Sequence, residues 1–141
     1  MSIVNTVECA TARASEYPQV VHVRAHTLAA DVGVATGGTD SAPDPHDYFD
    51  TALATCKALT ATWYAKHHAI PLERVESHVE RDATRERDGV YRLRVRIEFH
   101  GPMSDAQRAA LHRAVSACPI HKLMTTSEVE IETVAPVPAT P

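Results

Sequence analysis

Two cysteines, Cys56 and Cys118, are the residues of this chain whose type and setting could carry chemistry. Cys56 lies within the mostly apolar stretch ALATCKALTATWYA, and Cys118 lies at a break, ACPIHKLM, where Pro119 can begin a helix. The two are far apart in the chain, so only the fold can bring them together. If it does, they form a dithiol that can cycle to a disulfide, which is typical of a thiol redox enzyme.

Taken alone, Cys118 is the better candidate for a reactive thiol. With Pro119 at the first helical position, Cys118 becomes the N-cap, where free backbone N–H groups stabilise a thiolate. His121 and Lys122 add positive charge nearby, although a small capping residue with no chemical role fits equally well. Cys56, by contrast, has the setting of a small buried hydrophobe, which becomes reactive only where an arginine supplies positive charge. Cys9 is interpreted as structural.

The composition indicates one domain and excludes several functions. The 141-residue chain has a net charge of −4, and its arginines alternate with acids, which argues against nucleic acid as a partner. It shows neither a membrane span nor an export signal, so we expect a cytoplasmic protein with reduced cysteines. His22 and His26 lie on a predicted strand, about 13 Å apart, too far for one ion. We therefore predict no metal site and no bound cofactor.

The N-terminal half is predicted to contain two strands and a long helix. The strands cover 3–10 and 19–30, and the second carries His22, Arg24 and His26 on its polar side. A glycine-rich loop at 33–46 precedes a helix at about 46–68. Its apolar stripe includes Phe49, Leu53, Cys56, Leu59 and Trp63.

The C-terminal half is predicted to form a β-hairpin, two helices and a last strand. The hairpin pairs 72–82 with 90–100, the helices cover 105–117 and 119–125, and the strand covers 127–134. The acids of the outer strands are expected beside the arginines of 90–100, because opposite charges stabilise neighbouring strands. These acids are Glu76, Glu80, Glu128, Glu130 and Glu132. The order predicts an α+β fold with antiparallel sheet in a single domain, 1–134, followed by a loose proline-rich tail, 135–141.

The runs GGTDSAPDPHDYFDTALATCKALT and ACPIHKLM, with the strands and helices around them, resemble the OsmC/Ohr family of thiol-dependent peroxidases. The stretch VHVRAHTLAAD before the glycine loop is similar to one branch of that family. The resemblance covers about residues 3–134. It implies an intertwined homodimer in which antiparallel sheets wrap the long central helices, with two active sites at the dimer interface.

The resemblance also implies roles for the two cysteines. Cys56 matches the peroxidatic cysteine, which attacks an organic hydroperoxide and becomes a sulfenic acid. Cys118 matches the resolving cysteine, which forms a disulfide with it, and an external dithiol, often a lipoyl-bearing protein, restores both. The apolar residues expected beside Cys56 favour alkyl or lipid peroxides. They are Phe49, Leu53, Leu59, Leu123 and Met124.

The family activates its peroxidatic cysteine with an arginine from the N-terminal strands, held by a carboxylate just before the central helix. In this chain the resemblance implies that the arginine is either Arg24 or Arg13, and we favour Arg24. The position of the carboxylate is occupied by His46, with Asp47 beside it. This departure motivates a second hypothesis, in which the same fold serves as a small-molecule-binding or redox-sensing protein with little peroxidase turnover.

Overall fold

The computed structural model describes residues 6–136. It is an α+β fold whose described part contains five strands in antiparallel sheets and three α-helices. The chain forms two compact units, Met1–Ala54 with Val79–Val95, and Thr55–His78 with Arg96–Pro141. The single domain 1–134 stays a prediction, and most of the tail at 135–141 lies outside the described residues.

The first unit begins with a three-stranded antiparallel sheet. Strands β1 (Val7–Thr11), β2 (Gln19–Val23) and β3 (His26–Ala30) pair in that order. The single strand predicted at 19–30 is wrong, because the chain reverses at Arg24 and Ala25 and β3 folds back on β2. Arg24 adopts a left-handed conformation, φ 52°, without the glycine that usually announces such a turn. The start of the predicted strand 3–10 lies outside the described residues.

The loop before the long helix is organised around one buried carboxylate. Asp31 accepts hydrogen bonds from the backbone N–H groups of Val32, Thr39 and Ser41 and from the hydroxyls of Thr39 and Ser41. The bonds from Ser41 are the largest reason that the pKa of Asp31 lies far below its usual range. A glycine is required at position 38, where a Cβ would lie 2.3 Å from the carbonyl oxygen of Val32.

The long helix α1 spans Pro45–His67. Asp44 and Asp47 define its start, since the backbone N–H of each donates to the carboxylate of the other. The most buried residues of α1 are four apart: Leu53, Lys57, Ala61 and Ala65. The predicted stripe is therefore only partly buried within the chain, because Leu59 and Trp63 remain 68% and 57% exposed.

Strands β4 (Arg74–Asp82) and β5 (Arg92–His100) form a two-stranded sheet, as the sequence predicted. The connecting loop turns at Gly89, which has φ 83°. Along β5, the arginines Arg92, Arg94 and Arg96 are exposed and the apolar residues between them are more buried.

The second unit contains helices α2 (Asp105–Ser116) and α3 (Pro119–Thr126). Ser104 and Gln107 form a capping box at the start of α2. The core side of α2 carries Leu111 and Val115, which are 0% and 1% exposed.

The strand predicted at 127–134 is wrong, because residues 127–136 form no strand. A strand needs a neighbour to take its backbone hydrogen bonds, so the alternating pattern alone was insufficient. Its apolar residues Val129, Ile131 and Val134 are exposed, and so are its acids Glu128, Glu130 and Glu132. No helix among the described residues is both long and apolar enough to cross a membrane.

Candidate functional site: two thiols at the start of helix α3

The break between α2 and α3 positions Cys118 as the sequence predicted. Cys118 is the N-cap of α3, with φ −64° and ψ 159°, and Pro119 occupies the first helical position. The first helical hydrogen bond runs from the N–H of Lys122 to the carbonyl of Cys118 at 3.1 Å. The thiol itself is fully buried and makes no capping hydrogen bond.

The free N–H of the helix start contacts the other cysteine. The backbone N–H of Ile120 donates to Sγ of Cys56 at 3.5 Å. Cys56 is partly buried on α1, and both it and Cys118 are free thiols. The expectation that this helix end serves the Cys118 thiol is therefore wrong, since the amide donates to Cys56. Because the free N–H groups at a helix N-terminus carry partial positive charge, the start of α3 places partial positive charge beside Sγ of Cys56.

Ile120 belongs to this candidate site, and the sequence did not indicate it. Its N–H is one of those that have no partner within an α-helix, so its availability follows from placing Pro119 at the first position. Its partner does not follow, because that depends on where α1 lies beside α3.

Lys57, the neighbour of Cys56, is the second residue that was missed. Its side chain is buried, and the residue is only 4% exposed. Nζ donates to the carbonyl oxygen of Val115 at 2.6 Å and lies 3.2 Å from Nδ1 of His121. The lysine thus contacts the last turn of α2 and the first turn of α3, on the two sides of Cys118.

The arginines proposed to activate Cys56 lie in the first unit. Arg24 is exposed in the turn between β2 and β3, and Arg13 pairs with Glu16. Neither placement tests the assignment, so the role of Arg24 stays a prediction.

The region around His46 and Asp47 contains an arginine that was not predicted. Arg81 of β4 donates to Asp47 at 2.9 Å and to Asp50 at 2.6 Å. Its hydrogen bond to Asp50 is the main reason that its pKa lies above the usual range, and hydrogen bonds from Asp44 and Arg81 lower the pKa of Asp47. His46 lies 2.5 Å from Glu86. The arginine–carboxylate pair at the start of α1 is thus formed by Arg81.

Tyr91 completes this network from β5. Its hydroxyl donates to Asp50 at 2.7 Å. Burial, followed by the interaction with Asp50, raises the pKa of Tyr91 to about 12. Phe49 packs edge-on against its ring. A cavity of about 380 Å³ opens here, lined by Pro45, His46, Phe49, Glu86 and Tyr91.

The apolar residues expected beside Cys56 are divided between the two units, since Phe49 and Leu53 belong to the first and the others to the second, so this pocket stays a prediction. Phe49 lines the cavity of the first unit, and Leu59 and Leu123 are 68% and 47% exposed. Among the described residues, Glu76, Glu98 and His100 could share a metal ion, with ligand atoms within 4.8 Å of one another. Arg74 and Arg96 already pair with the two carboxylates. The charges of this cluster are therefore balanced by ion pairs within the protein.

The α+β architecture with a pair of thiols at one helix start can be compared with known proteins. The family model described as OsmC-like protein matches residues 38–134. The chain therefore belongs to the OsmC family, as its motifs indicated. No curated protein sequence matches it.

Solved structures share this fold. An OsmC-like protein from Mycoplasma pneumoniae is 20% identical, with a TM-score of 0.69 over 89% of this chain and 90% of the other. An organic hydroperoxide resistance protein, OsmC, from Legionella pneumophila is 20% identical, with a TM-score of 0.60 over 88% and 90%. The organic hydroperoxide resistance protein OhrB of Bacillus subtilis is 19% identical, with a TM-score of 0.57 over 88% and 92%. At these identities the likeness shows the fold, and function has to be argued from the site.

Proposed function

We propose that this protein is a thiol-dependent peroxidase that reduces organic hydroperoxides to alcohols with Cys56 and Cys118. The observation that carries the proposal is the bond from the Ile120 N–H to Cys56 Sγ, at the first turn of the helix that Cys118 caps. One short helix start thus directs an N–H group at Cys56 and carries the second thiol at its N-cap.

The cycle has three balanced steps. The Cys56 thiolate attacks one peroxide oxygen, the O–O bond breaks, and Cys56 becomes a sulfenic acid while the alkoxide takes a proton and leaves as the alcohol. Cys118 then attacks this sulfur, which forms the disulfide and releases water. An external dithiol, such as a lipoyl-bearing protein, restores both thiols by exchange and is itself oxidised to a disulfide. No bound cofactor is needed.

Organic hydroperoxides are the substrate class that two observations favour. Structural relatives carry the name organic hydroperoxide resistance protein. The two helices that carry the thiols also present apolar side chains to solvent, Leu59 on α1 and Leu123 on α3. An apolar surface of this kind favours an alkyl chain over hydrogen peroxide. We place the protein in the cytoplasm, where reducing conditions return such a disulfide to the dithiol.

We assign the activating arginine to Arg24, following the family pattern. Arg24→Ala should slow the oxidation of Cys56. Arg13→Ala should not slow it, because Arg13 is already paired with Glu16. Arg81→Ala belongs in the same series, since Arg81 is the arginine that carboxylates hold at the start of α1. If Arg24→Ala matches the unmodified protein, the assignment is wrong.

The functional form is proposed to be a homodimer. Leu59 and Trp63 form an exposed apolar face on α1, and the segment 127–134 alternates acids with exposed apolar residues. Both are features that a second copy of the chain would cover. Large exposed apolar patches of this kind mark association surfaces.

A second candidate function is a small-molecule-binding or redox-sensing protein with slow turnover. His46 stands where the family places its carboxylate, and it pairs with Glu86. Stopped-flow oxidation of the reduced protein separates the two candidates. A rate no faster than that of a free thiol at the same pH would favour sensing or binding.

The direct test treats the reduced protein with cumene hydroperoxide. Mass analysis of the digested product should identify a Cys56–Cys118 disulfide, and Cys56→Ser should consume the peroxide much more slowly. Consumption by Cys56→Ser at the unmodified rate would contradict the proposal.

A further inference from the structure

Lys57 is a buried cation whose two described partners lie on the two sides of Cys118. Its ammonium group donates to the carbonyl of Val115 in the last turn of α2 and contacts Nδ1 of His121 in the first turn of α3. Between these residues the chain has no helical structure at Ala117 and Cys118. The lysine therefore bridges the break that carries the second thiol.

The chemistry of each partner suits a lysine. The last carbonyls of a helix have no partner within it, and they form the negative end of the helix dipole, so a cation at Val115 is favoured. An ammonium group only donates hydrogen bonds, so Nδ1 of His121 is the acceptor in this contact. A buried ammonium is costly unless its hydrogen bonds are satisfied, so this contact constrains both helix ends.

We propose that Lys57 is a positioning residue for the two-thiol reaction. By joining the end of α2 to the start of α3, it fixes Cys118 and the Ile120 N–H against Cys56, which lies next to it on α1. This inference rests on the proposed function, in which the two thiols react with each other. Its structural content, that Lys57 holds the two thiols within reach of each other, can be tested without any peroxide.

The test measures how fast diamide cross-links the two thiols as an intramolecular disulfide, which requires reagent access only to the partly exposed Cys56, because the buried Cys118 attacks from within the protein. All variants carry Cys9→Ser, so that Cys56 and Cys118 are the remaining cysteines. Lys57→Met removes the ammonium group and keeps an unbranched side chain that tolerates burial. We expect the rate of cross-linking to fall at least tenfold relative to the Cys9→Ser protein.

Three further variants make the result specific. Lys66→Met is the matched control, because Lys66 is exposed on α1, the helix that carries Lys57, and its side chain has no described contact with Lys57; it should cross-link at the unmodified rate. His121→Leu removes the acceptor and should resemble Lys57→Met. His121→Asn places an amide oxygen near the position of Nδ1 and should recover most of the rate. This rescue is not expected of a residue that only fills space.

A second readout is the equilibrium between the dithiol and its disulfide in glutathione buffers. A positioned pair has a high effective concentration, so Lys57→Met should make the disulfide at least tenfold easier to reduce. Equal cross-linking by Lys57→Met, Lys66→Met and the parent would overturn the inference, and so would failure of the parent to cross-link. If Lys57→Met does not fold, the His121 pair decides the outcome. A parent that cross-links but is not oxidised by cumene hydroperoxide would contradict the proposed function and leave the role of Lys57 standing.

Discussion

The backbone N–H of Ile120 points at Sγ of Cys56, 3.5 Å away, in the first turn of a helix capped by Cys118. A backbone N–H at a helix start, which would ordinarily donate to the capping side chain, thus donates to a side chain of another helix. This relationship gives the mid-helix Cys56 the partial positive charge that its own helix cannot supply.

Removal of this amide should slow the first chemical step. Ile120→Pro deletes the N–H in the first turn, where proline is tolerated, and Ile120→Val keeps it. Because a hydrogen bond to a charged group contributes about 1.5 kcal/mol, Ile120→Pro should react with cumene hydroperoxide about tenfold more slowly, as measured by stopped-flow. Equal rates for the two variants would show that the amide does not assist Cys56.

Cys118→Ser should separate the first step from the second. The variant should still consume one equivalent of hydroperoxide, because Cys56 is intact, but it should accumulate a sulfenic acid that dimedone traps. Mass spectrometry should find the adduct on Cys56. An adduct on Cys118 of the unmodified protein, with Cys56 untouched, would reverse the assigned order.

Tyr91 should make stability depend on pH in the alkaline range. Its pKa is raised to about 12 in the folded protein, compared with about 10 in an unfolded chain. Its contribution to stability is therefore complete below pH 10 and is lost as pH rises towards 12. Tyr91→Phe should lower the free energy of unfolding at neutral pH by about 1 kcal/mol. It should also lose less stability than the unmodified protein between pH 10 and pH 12, as urea titrations can measure.

The exposed Tyr17 supplies the control for this experiment. Tyr17→Phe should follow the unmodified protein across the alkaline range. If Tyr91→Phe and Tyr17→Phe show the same pH dependence, the hydrogen bond to Asp50 does not account for the effect.

Asp31 should govern stability at acid pH. Its pKa lies far below that of an unfolded aspartate, about 3.9. Its contribution is therefore present above about pH 4 and is lost as pH falls further. Asp31→Asn should lower the melting temperature by several degrees at neutral pH, and the difference should shrink at low pH. Asp88→Asn, at an exposed loop position, should have little effect, and a constant difference at every pH would count against this account.

Leu59→Asp should separate association from folding. Because Leu59 is 68% exposed on α1, a charge there should leave the circular dichroism of the chain unchanged. Light scattering should show a fall from the mass of two chains to the mass of one. Ala61→Asp, at a position with 0% exposure, is the contrasting variant and should lose helical signal. A dimer that survives Leu59→Asp would exclude this face from the interface.

The sequence predicted the helices and the sheet of β4 and β5 well because their patterns are local. The alternation of β5, the proline after Cys118 and the serine cap at Ser104 each depend on residues within a few positions. The turn at Arg24 was missed because its left-handed residue is not glycine. The strand at 127–134 was predicted wrongly because pairing depends on a neighbour that the pattern cannot identify.

The site was predictable as a pair of cysteines and unpredictable in its supporting contacts. Nothing local indicates that the amide beside Cys118 will meet Cys56, or that Lys57 will be buried instead of solvated. Arg81 shows the same limit, since its two carboxylates precede it by about thirty residues. Contacts of this kind follow from tertiary packing, which outweighs local preference.

Helix α1 directs its smallest side chains inward, with Ala61 and Ala65 at 0% and 3% exposure, while the largest, Trp63, is 57% exposed. Tolerance to substitution should therefore follow exposure and not side-chain size along this helix. A single added methyl group at Ala61 would strain the fold of one chain, whereas truncation of Trp63 would be tolerated by that fold. Substitutions in α1 should therefore be limited by two separate requirements. Those at the buried alanines are limited by the folding of one chain, and those at large exposed residues are limited only after folding is complete.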